Sequence, residues 1–178
     1  MCAGPGGYDE FGQVSGTPTG AGFIAIAAGA GSSLALKSDG SIITWGHDLA
    51  ASPIGTGFTA ISGGAVHSMA LKSDGSIVSW GSDWEGSVAD TPSGPGFSAI
   101  AAGGNYSMAL RSDGSIFSWG SDHFGQVSGT PSGTGFTAVA TAGGHNLALQ
   151  VPEPSGLVLL GMGAAGLLMA WRSKVGRK

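Results

Sequence analysis

One motif recurs four times along this chain, and it constrains the fold more than any other feature. Each copy begins with a Gly-Phe pair, and successive pairs are 35, 39 and 39 residues apart. A run of small apolar residues follows each pair, and a second alternating run comes after a short gap. A unit of this size cannot bury a hydrophobic face alone and must stack on its neighbours. The four pairs begin at Gly22, Gly57, Gly96 and Gly135.

The pattern inside each copy predicts β-strands. The alternating runs are short and are bounded by Gly, Pro and Asp, which is typical of strands and turns. Asp-Gly between two such runs predicts a hairpin with a type I′ turn, in which both central residues have positive φ. The chain also contains 35 Gly among 178 residues, and Gly disfavours a helix-rich core because it weakens helix interiors by about 1 kcal/mol each. We expect hairpins at residues 39–40, 74–75 and 113–114.

Three residue types recur at fixed repeat positions, and we interpret each as structural. Trp is expected in the core between repeats, with ligand stacking as the alternative. Asp is expected to bond turn backbone, with a weak calcium site as the alternative. Two His share a position and should make structural contacts, because tetrahedral zinc normally needs three or four protein ligands. The residues are Trp45, Trp80 and Trp119, then Asp9, Asp48, Asp83 and Asp122, and finally His67 and His145.

Charge is divided unevenly between two parts of the chain. Residues 1–151 hold three basic and ten acidic residues, whereas residues 152–178 hold four bases and one acid. An acidic body argues against nucleic-acid binding, which depends on neutralising phosphates. Cys2 is the sole cysteine, which excludes an intrachain disulfide. The three basic residues of residues 1–151 share one repeat position, just before the hairpin: Lys37, Lys72 and Arg111. We expect each to lie at a solvent-exposed strand end, and the alternative is a functional ring of basic side chains.

The repeats divide the chain into three regions. Residues 1–7 are expected to be a disordered start, residues 8–150 a repeat domain and residues 151–178 a separate C-terminal segment. Residues 9–18 repeat the pattern of residues 122–131, so the chain starts in mid-repeat. Either the product is truncated or its start misassigned, or this first segment completes the last unit and closes a ring of four. The repeat domain comprises full units at 22–56, 57–95 and 96–134 and partial units at 8–21 and 135–150.

The repeats resemble those of the regulator-of-chromosome-condensation type of β-propeller. The resemblance rests on residues 63–71 (Gly-Gly-Ala-Val-His-Ser-Met-Ala-Leu) and 119–126 (Trp-Gly-Ser-Asp-His-Phe-Gly-Gln). It implies an all-β, propeller-like array of about three full blades plus two partial ones. Asp stands where that family usually has Asn, and the family usually closes seven blades. Its nucleotide-exchange activity is therefore not transferred to this chain.

The composition changes sharply at Val151. An uncharged stretch of 17 residues ends at Trp171, at the lower limit of the roughly 17–25 residues that span a bilayer. We expect a transmembrane helix at about 156–171 with a cytoplasmic basic end; a buried core helix or a random apolar terminus is the alternative. The expected anchor residues are Leu157, Leu159, Leu160, Leu167, Leu168 and Trp171, and the basic end comprises Arg172, Lys174, Arg177 and Lys178.

Pro152, Glu153 and Pro154 precede the apolar stretch, and the order of tripeptide, apolar segment and basic end resembles a PEP-CTERM sorting signal. The resemblance implies export, transient membrane anchoring and cleavage by an exosortase-type membrane protease. It also implies a Gram-negative bacterium that makes extracellular polysaccharide. Residues 1–22 show neither the basic start nor the apolar core of a signal peptide, which agrees with the truncation hypothesis.

Three functional hypotheses follow from these features. The first is an exported, non-enzymatic surface or matrix protein whose propeller binds a protein or a polysaccharide. The second is an extracellular hydrolase that uses loop residues such as Asp122 and His123. The third is a truncated, nonfunctional fragment. No set of nucleophile, base and acid stands out from the repeat pattern, so no enzyme activity, cofactor or metal site is predicted.

Overall fold

The computed structural model describes residues 9–47 and 52–151, and all regular structure in these two ranges is β-strand. The prediction of an all-β fold is confirmed. The described residues contain no helix that could span a bilayer. The strands are β1 (Phe23–Ala28), β2 (Ser32–Lys37), β3 (Ile42–Gly46), β4 (Phe58–Gly63), β5 (His67–Lys72), β6 (Ile77–Gly81), β7 (Phe97–Ala102), β8 (Tyr106–Arg111), β9 (Ile116–Gly120), β10 (Phe136–Ala142) and β11 (His145–Gln150).

Each sequence repeat forms one antiparallel sheet. The first sheet has the order β1-β2-β3, the second β4-β5-β6 and the third β7-β8-β9, while the fourth consists of β10 and β11. Short connections explain this order, because antiparallel neighbours can be joined by tight hairpins. One end of every sheet carries the turn between its first two strands, and the opposite end carries the Asp-Gly hairpin where that is present.

The predicted hairpins form, but the predicted turn type is wrong. In the first hairpin Gly40 has a φ of 78°, whereas Asp39 keeps a negative φ. Gly40 N donates to Lys37 O at 2.9 Å, and Lys37 N donates to Ser41 O at 2.9 Å. This is a three-residue loop closed by a glycine in the left-handed region, a common alternative to the two-residue turn. The second and third hairpins repeat these bonds.

A β-bulge recurs near the start of the first strand of each sheet. In the second sheet Phe58 pairs with Lys72 and Ala60 pairs with Leu71, which leaves Thr59 as the extra residue. Its hydroxyl donates to Leu71 O at 3.2 Å. Corresponding hydroxyls at Ser98 and Thr137 do the same. A bulge increases local twist, so all four sheets are shaped alike and can stack.

The core lies between neighbouring sheets. Leu34 and Leu36 of β2 are fully buried in a cluster with Phe58 of β4. Met69 and Leu71 of β5 pack in the same way with Phe97 of β7. Leu, Met and Phe side chains thus fill the space between these neighbouring sheets. Trp80 and Trp119 belong to these clusters, as predicted for the Trp position.

The turns between the first two strands of each sheet also contact one another. Ala30 N donates to Gly64 O at 3.3 Å, and Ala65 N donates to Gly103 O at 3.1 Å. A Cβ at Gly64 would lie only 2.6 Å from Gly103 O, a contact that real Cβ atoms do not make. Glycine is therefore required here because backbone from adjacent sheets meets at this turn.

The segments that follow the second and third sheets each pack against the next sheet. Trp119 Nε1 in the third sheet donates to Ser87 O at 3.1 Å, and Asn146 in the fourth sheet donates to Gln126 O. Trp45 Nε1 in the first sheet donates at 2.8 Å to Gln13 O, which holds the corresponding place in residues 9–18. The structure therefore places this first segment on the first sheet, whereas the ring-closure interpretation paired it with the last.

Candidate ligand-binding surface

Three loops at one end of the sheets have the same internal construction. Each loop starts with an Asp at the repeat position that follows the third strand of a sheet. One oxygen of its carboxylate accepts hydrogen bonds from two backbone N–H groups. Asp83 Oδ1 accepts from Val88 N at 2.8 Å and from Ala89 N at 3.0 Å. Asp9 and Asp122 make the corresponding bonds. The predicted turn role of the Asp position is confirmed at these three residues, and Asp48 lies outside the described residues.

These bonds also fix the ionisation of the loop carboxylates. Backbone donation from Ser128 and Val127 holds the pKa of Asp122 below its usual value. The pKa values of Asp83 and Asp9 are lowered for the same reason. Donation to the charged form favours that form. The three carboxylates therefore stay charged at neutral pH, and each stabilises its own loop through these hydrogen bonds.

The folded loops expose aromatic side chains at one end of the sheets. Phe124 is 81% exposed, Trp84 60% and Phe11 43%. Each ring follows the loop Asp by one or two residues. Phe124 lies over the next turn, because a Cβ at Gly144 would be 3.2 Å from its Cδ2. We call Phe11, Trp84 and Phe124 the aromatic loop surface.

Polar groups lie beside these rings. His123 Nε2 and Glu85 Oε1 are 2.7 Å apart and join the second and third loops. Donation from the Ser121 side chain, with His123 nearby, lowers the pKa of Glu85. The His47 ring packs against Phe11 with 4.3 Å between ring centroids. Rings flanked by exposed polar groups are typical of binding surfaces, since aromatic side chains bury much area with little loss of entropy.

A polar cavity of about 130 Å³ lies between the first and second sheets at the same end. His47, His67 and Ser82 are among its lining residues. His67 is buried, and its Nε2 is 2.7 Å from Ser107 Oγ, which confirms the predicted structural contact for this histidine. Burial lowers the pKa of His67 to about 4, against a smaller opposing effect of Asp83. The imidazole is therefore neutral at pH 7.

The remaining predicted site residues divide into two groups. Lys72 Nζ lies 5.8 Å from the Phe58 ring centroid, and Arg111 Cζ lies 4.8 Å from that of Phe97. These basic side chains at the strand ends therefore also cover the buried Phe rings. The Pro152–Pro154 tripeptide, the 156–171 helix, the basic end and the 1–7 start lie outside the described residues. Within the described ranges no group of three or more His, Cys, Asp or Glu could hold a metal ion.

Sequence reasoning missed the aromatic loop surface. It considered Asp122 and His123 as hydrolase residues, and the structure instead shows Asp122 bonded to its own loop. The available signal was an aromatic residue one or two places after Asp9, Asp83 and Asp122. That signal was obscured because the ring alternates between two adjacent positions of the loop.

Two family models match this chain, one in the repeat domain and one in the C-terminal segment. Residues 97–126 match the Regulator of chromosome condensation (RCC1) repeat. Residues 150–177 match the PEP-CTERM protein-sorting motif. No curated protein matches the chain.

Solved structures share the fold. The ectodomain of the Physcomitrella patens receptor kinase CR4 is 26% identical, with a TM-score of 0.63 over 72% of this chain and 38% of that one. The CRINKLY WD40 ectodomain of the Arabidopsis thaliana receptor kinase ACR4 is 24% identical, with a TM-score of 0.59 over 73% and 46%. Yeast RCC1 (Prp20), solved bound to Kap60, is 21% identical, with a TM-score of 0.61 over 75% and 43%.

This chain therefore spans less than half of the length of the solved structures that it matches. The PEP-CTERM motif implies export and membrane processing in bacteria by an exosortase. The chain carries an RCC1 repeat and a PEP-CTERM sorting motif, on an all-β fold similar to that of RCC1 propeller proteins.

Proposed function

We propose that this protein is an exported, non-enzymatic binding protein of the bacterial surface or matrix, and that the aromatic loop surface contacts its ligand. The single observation that carries the binding role is the recurrence of exposed rings at Phe11, Trp84 and Phe124 on one end of the sheets. Exposed apolar groups rimmed by polar residues commonly mark interaction sites. A PEP-CTERM motif at residues 150–177 supports export and sorting.

Polysaccharide is the ligand class that fits this surface best. The rings recur in three of the four copies of this loop sequence, since Leu49 follows Asp48 in the remaining copy. They therefore present repeated contacts, and a linear polysaccharide also offers repeated units. Sugar rings have an apolar C–H face that can pack on an aromatic ring, while their hydroxyl groups can bond polar neighbours such as Glu85 and His123. A Gram-negative host that makes extracellular polysaccharide, as the sorting signal suggests, would supply such a ligand.

A non-enzymatic role is proposed because the loop acids serve structure. Asp83 and Asp122 each accept two backbone N–H groups in their own loops. His123 is paired with Glu85 at an exposed position. A hydrolase needs an acid or base directed at the substrate, and these pairings direct the two Asp carboxylates elsewhere.

Binding can be tested with polysaccharide purified from the producing host. Affinity electrophoresis of the full chain should show retardation, and Trp84→Ala or Phe124→Ala should weaken binding by about fivefold or more, since truncating a central contact costs more than about 1 kcal/mol. Ile54→Ala is the matched control, because Ile54 is fully exposed and lies away from the aromatic loop surface. It is three residues before Gly57, whose carbonyl accepts from Ser73 N in the Asp-Gly hairpin at the other end of the sheets. The Ile54→Ala variant should bind as wild type. If the wild-type chain binds none of this polysaccharide, or all three variants bind equally well, the proposed ligand surface is wrong.

A further inference from the structure

The two terminal sheets each expose one apolar face. Ile24 and Ile26 of β1 are 64% and 70% exposed. Leu147 and Leu149 of β11 are 65% and 61% exposed. We call the β1 residues the head face and the β11 residues the tail face. A groove of about 390 Å³ follows β1 on the head face, which gives a partner room there.

Each exposed face matches one half of a junction already present inside the molecule. Leu147 and Leu149 occupy the repeat positions of Leu34 and Leu36, which are fully buried beside β4. Ile26 occupies the position of Ile61, which packs in that same junction. The tail face and the head face are therefore the two complementary sides of one type of interface.

The second junction supports the same correspondence. Met69 and Leu71 of β5 bury Phe97 of β7, with Ile100 packed against them. Phe97 is buried, whereas Phe23 at the equivalent position of β1 is only partly buried. The difference arises because β1 has no preceding sheet among the described residues. Covering the head face with a tail face would bury Phe23 as its counterparts are buried.

Backbone and charge are also compatible with this contact. Inside the molecule Ala30 N donates to Gly64 O across the first junction. The corresponding bond across a new junction would run from Gly143 N to Gly29 O of a second copy. Neither β1 nor β11 contains Lys, Arg, Asp or Glu, so neither strand brings a permanent charge to the contact.

We propose that two copies of this chain associate head to tail, with the tail face of each covering the head face of the other. Such an interface is heterologous and either closes into a ring or extends as a filament. Closure by two copies fits the size of the fold, since the chain matches 38% of the CR4 ectodomain and 46% of the ACR4 ectodomain. Two copies together would correspond to 76% of the first chain and 92% of the second.

The association can be tested with the full chain in mild detergent, by sedimentation at several concentrations. Wild type should be a dimer that does not extend further. Ile26→Asp removes the head face and Leu147→Asp the tail face, and each variant alone should be monomeric. Both side chains are exposed within one copy, so neither change removes a core contact. Ile54→Asp is the matched control and should remain dimeric.

Mixing the two monomeric variants is the decisive experiment for the head-to-tail contact. Ile26→Asp keeps its tail face and Leu147→Asp keeps its head face, so an equimolar mixture should form a dimer with one intact junction. Formation of that dimer would also show that both variants are folded. A monomeric wild type, dimers of either single variant alone, or a mixture that stays monomeric would overturn the proposal. Dimers of both variants alone would indicate association through another part of the chain, such as the apolar C-terminal segment.

Discussion

At the scale of single residues, position in the stack decides what a repeated side chain does. His67 and His145 share one repeat position, yet His67 is buried against Ser107 and His145 is exposed. The third sheet covers the second, whereas no described residue covers the outer face of the fourth. The sequence therefore predicts the shared position but not the difference in burial, which depends on the number of sheets stacked.

Burial of His67 predicts a specific pH dependence of stability. Its pKa is lowered from 6.5 to about 4, so the unfolded chain binds the proton more readily than the folded one. Stability from this group is fully present above pH 6.5 and is lost as pH falls towards 4. The expected loss is about 3 kcal/mol, measurable by urea unfolding at pH 7, 5 and 4.

Two variants isolate this effect. His67→Gln should lower the free energy of unfolding at pH 7 and should flatten its change between pH 6.5 and 4. His123→Gln removes an exposed histidine and should keep the pH dependence of wild type. If His67→Gln retains the full pH dependence, the titrating group is a different one and the assigned role of His67 is wrong.

At the scale of elements, the sequence predicted hairpins correctly and their turns incorrectly. Asp-Gly located all three loops, because Gly40 and its counterparts need positive φ. The two-residue turn was wrong because Asp39 instead accepts from Ser41 N and Ser41 Oγ through its side chain. A serine two places after the Asp thus favours the longer loop. That side-chain contribution is not visible in the Asp-Gly pair alone.

Contact between a sheet and the preceding segment should contribute measurably to stability. Trp119→Phe keeps most of the ring but removes the Nε1 donor to the buried carbonyl of Ser87. Leaving a buried carbonyl without its donor should lower the free energy of unfolding by about 1–3 kcal/mol. Urea unfolding at pH 7 would measure the loss.

Trp84→Phe is the matched control for that experiment, because Trp84 is exposed in the aromatic loop surface. It should change the free energy of unfolding by no more than about 0.5 kcal/mol. Equal effects of the two substitutions would contradict a special role for the Trp119 bond. Sequence reasoning placed Trp119 in the core but could not identify its acceptor, which is 32 residues away and is fixed only by stacking.

At the scale of the whole molecule, repetition explains both the fold and the binding surface. Four similar units stack on one another, and the sequence pattern alone predicted an all-β array with the repeated Trp in its core. The same repetition places Phe11, Trp84 and Phe124 at one end of the stack. Their exposure could not be predicted from the pattern, since Phe58, Phe97 and Phe136 at another repeat position are buried.

The central claim is that the chain is exported and sorted, and it is tested by following an epitope inserted after Gly7 in a host with an intact exosortase. We expect a shortened chain outside the cytosol. Deleting the exosortase, or introducing Glu153→Ala, should leave the chain at full length in the membrane fraction. A full-length, cytosolic chain in the intact host would show that the chain is neither exported nor sorted.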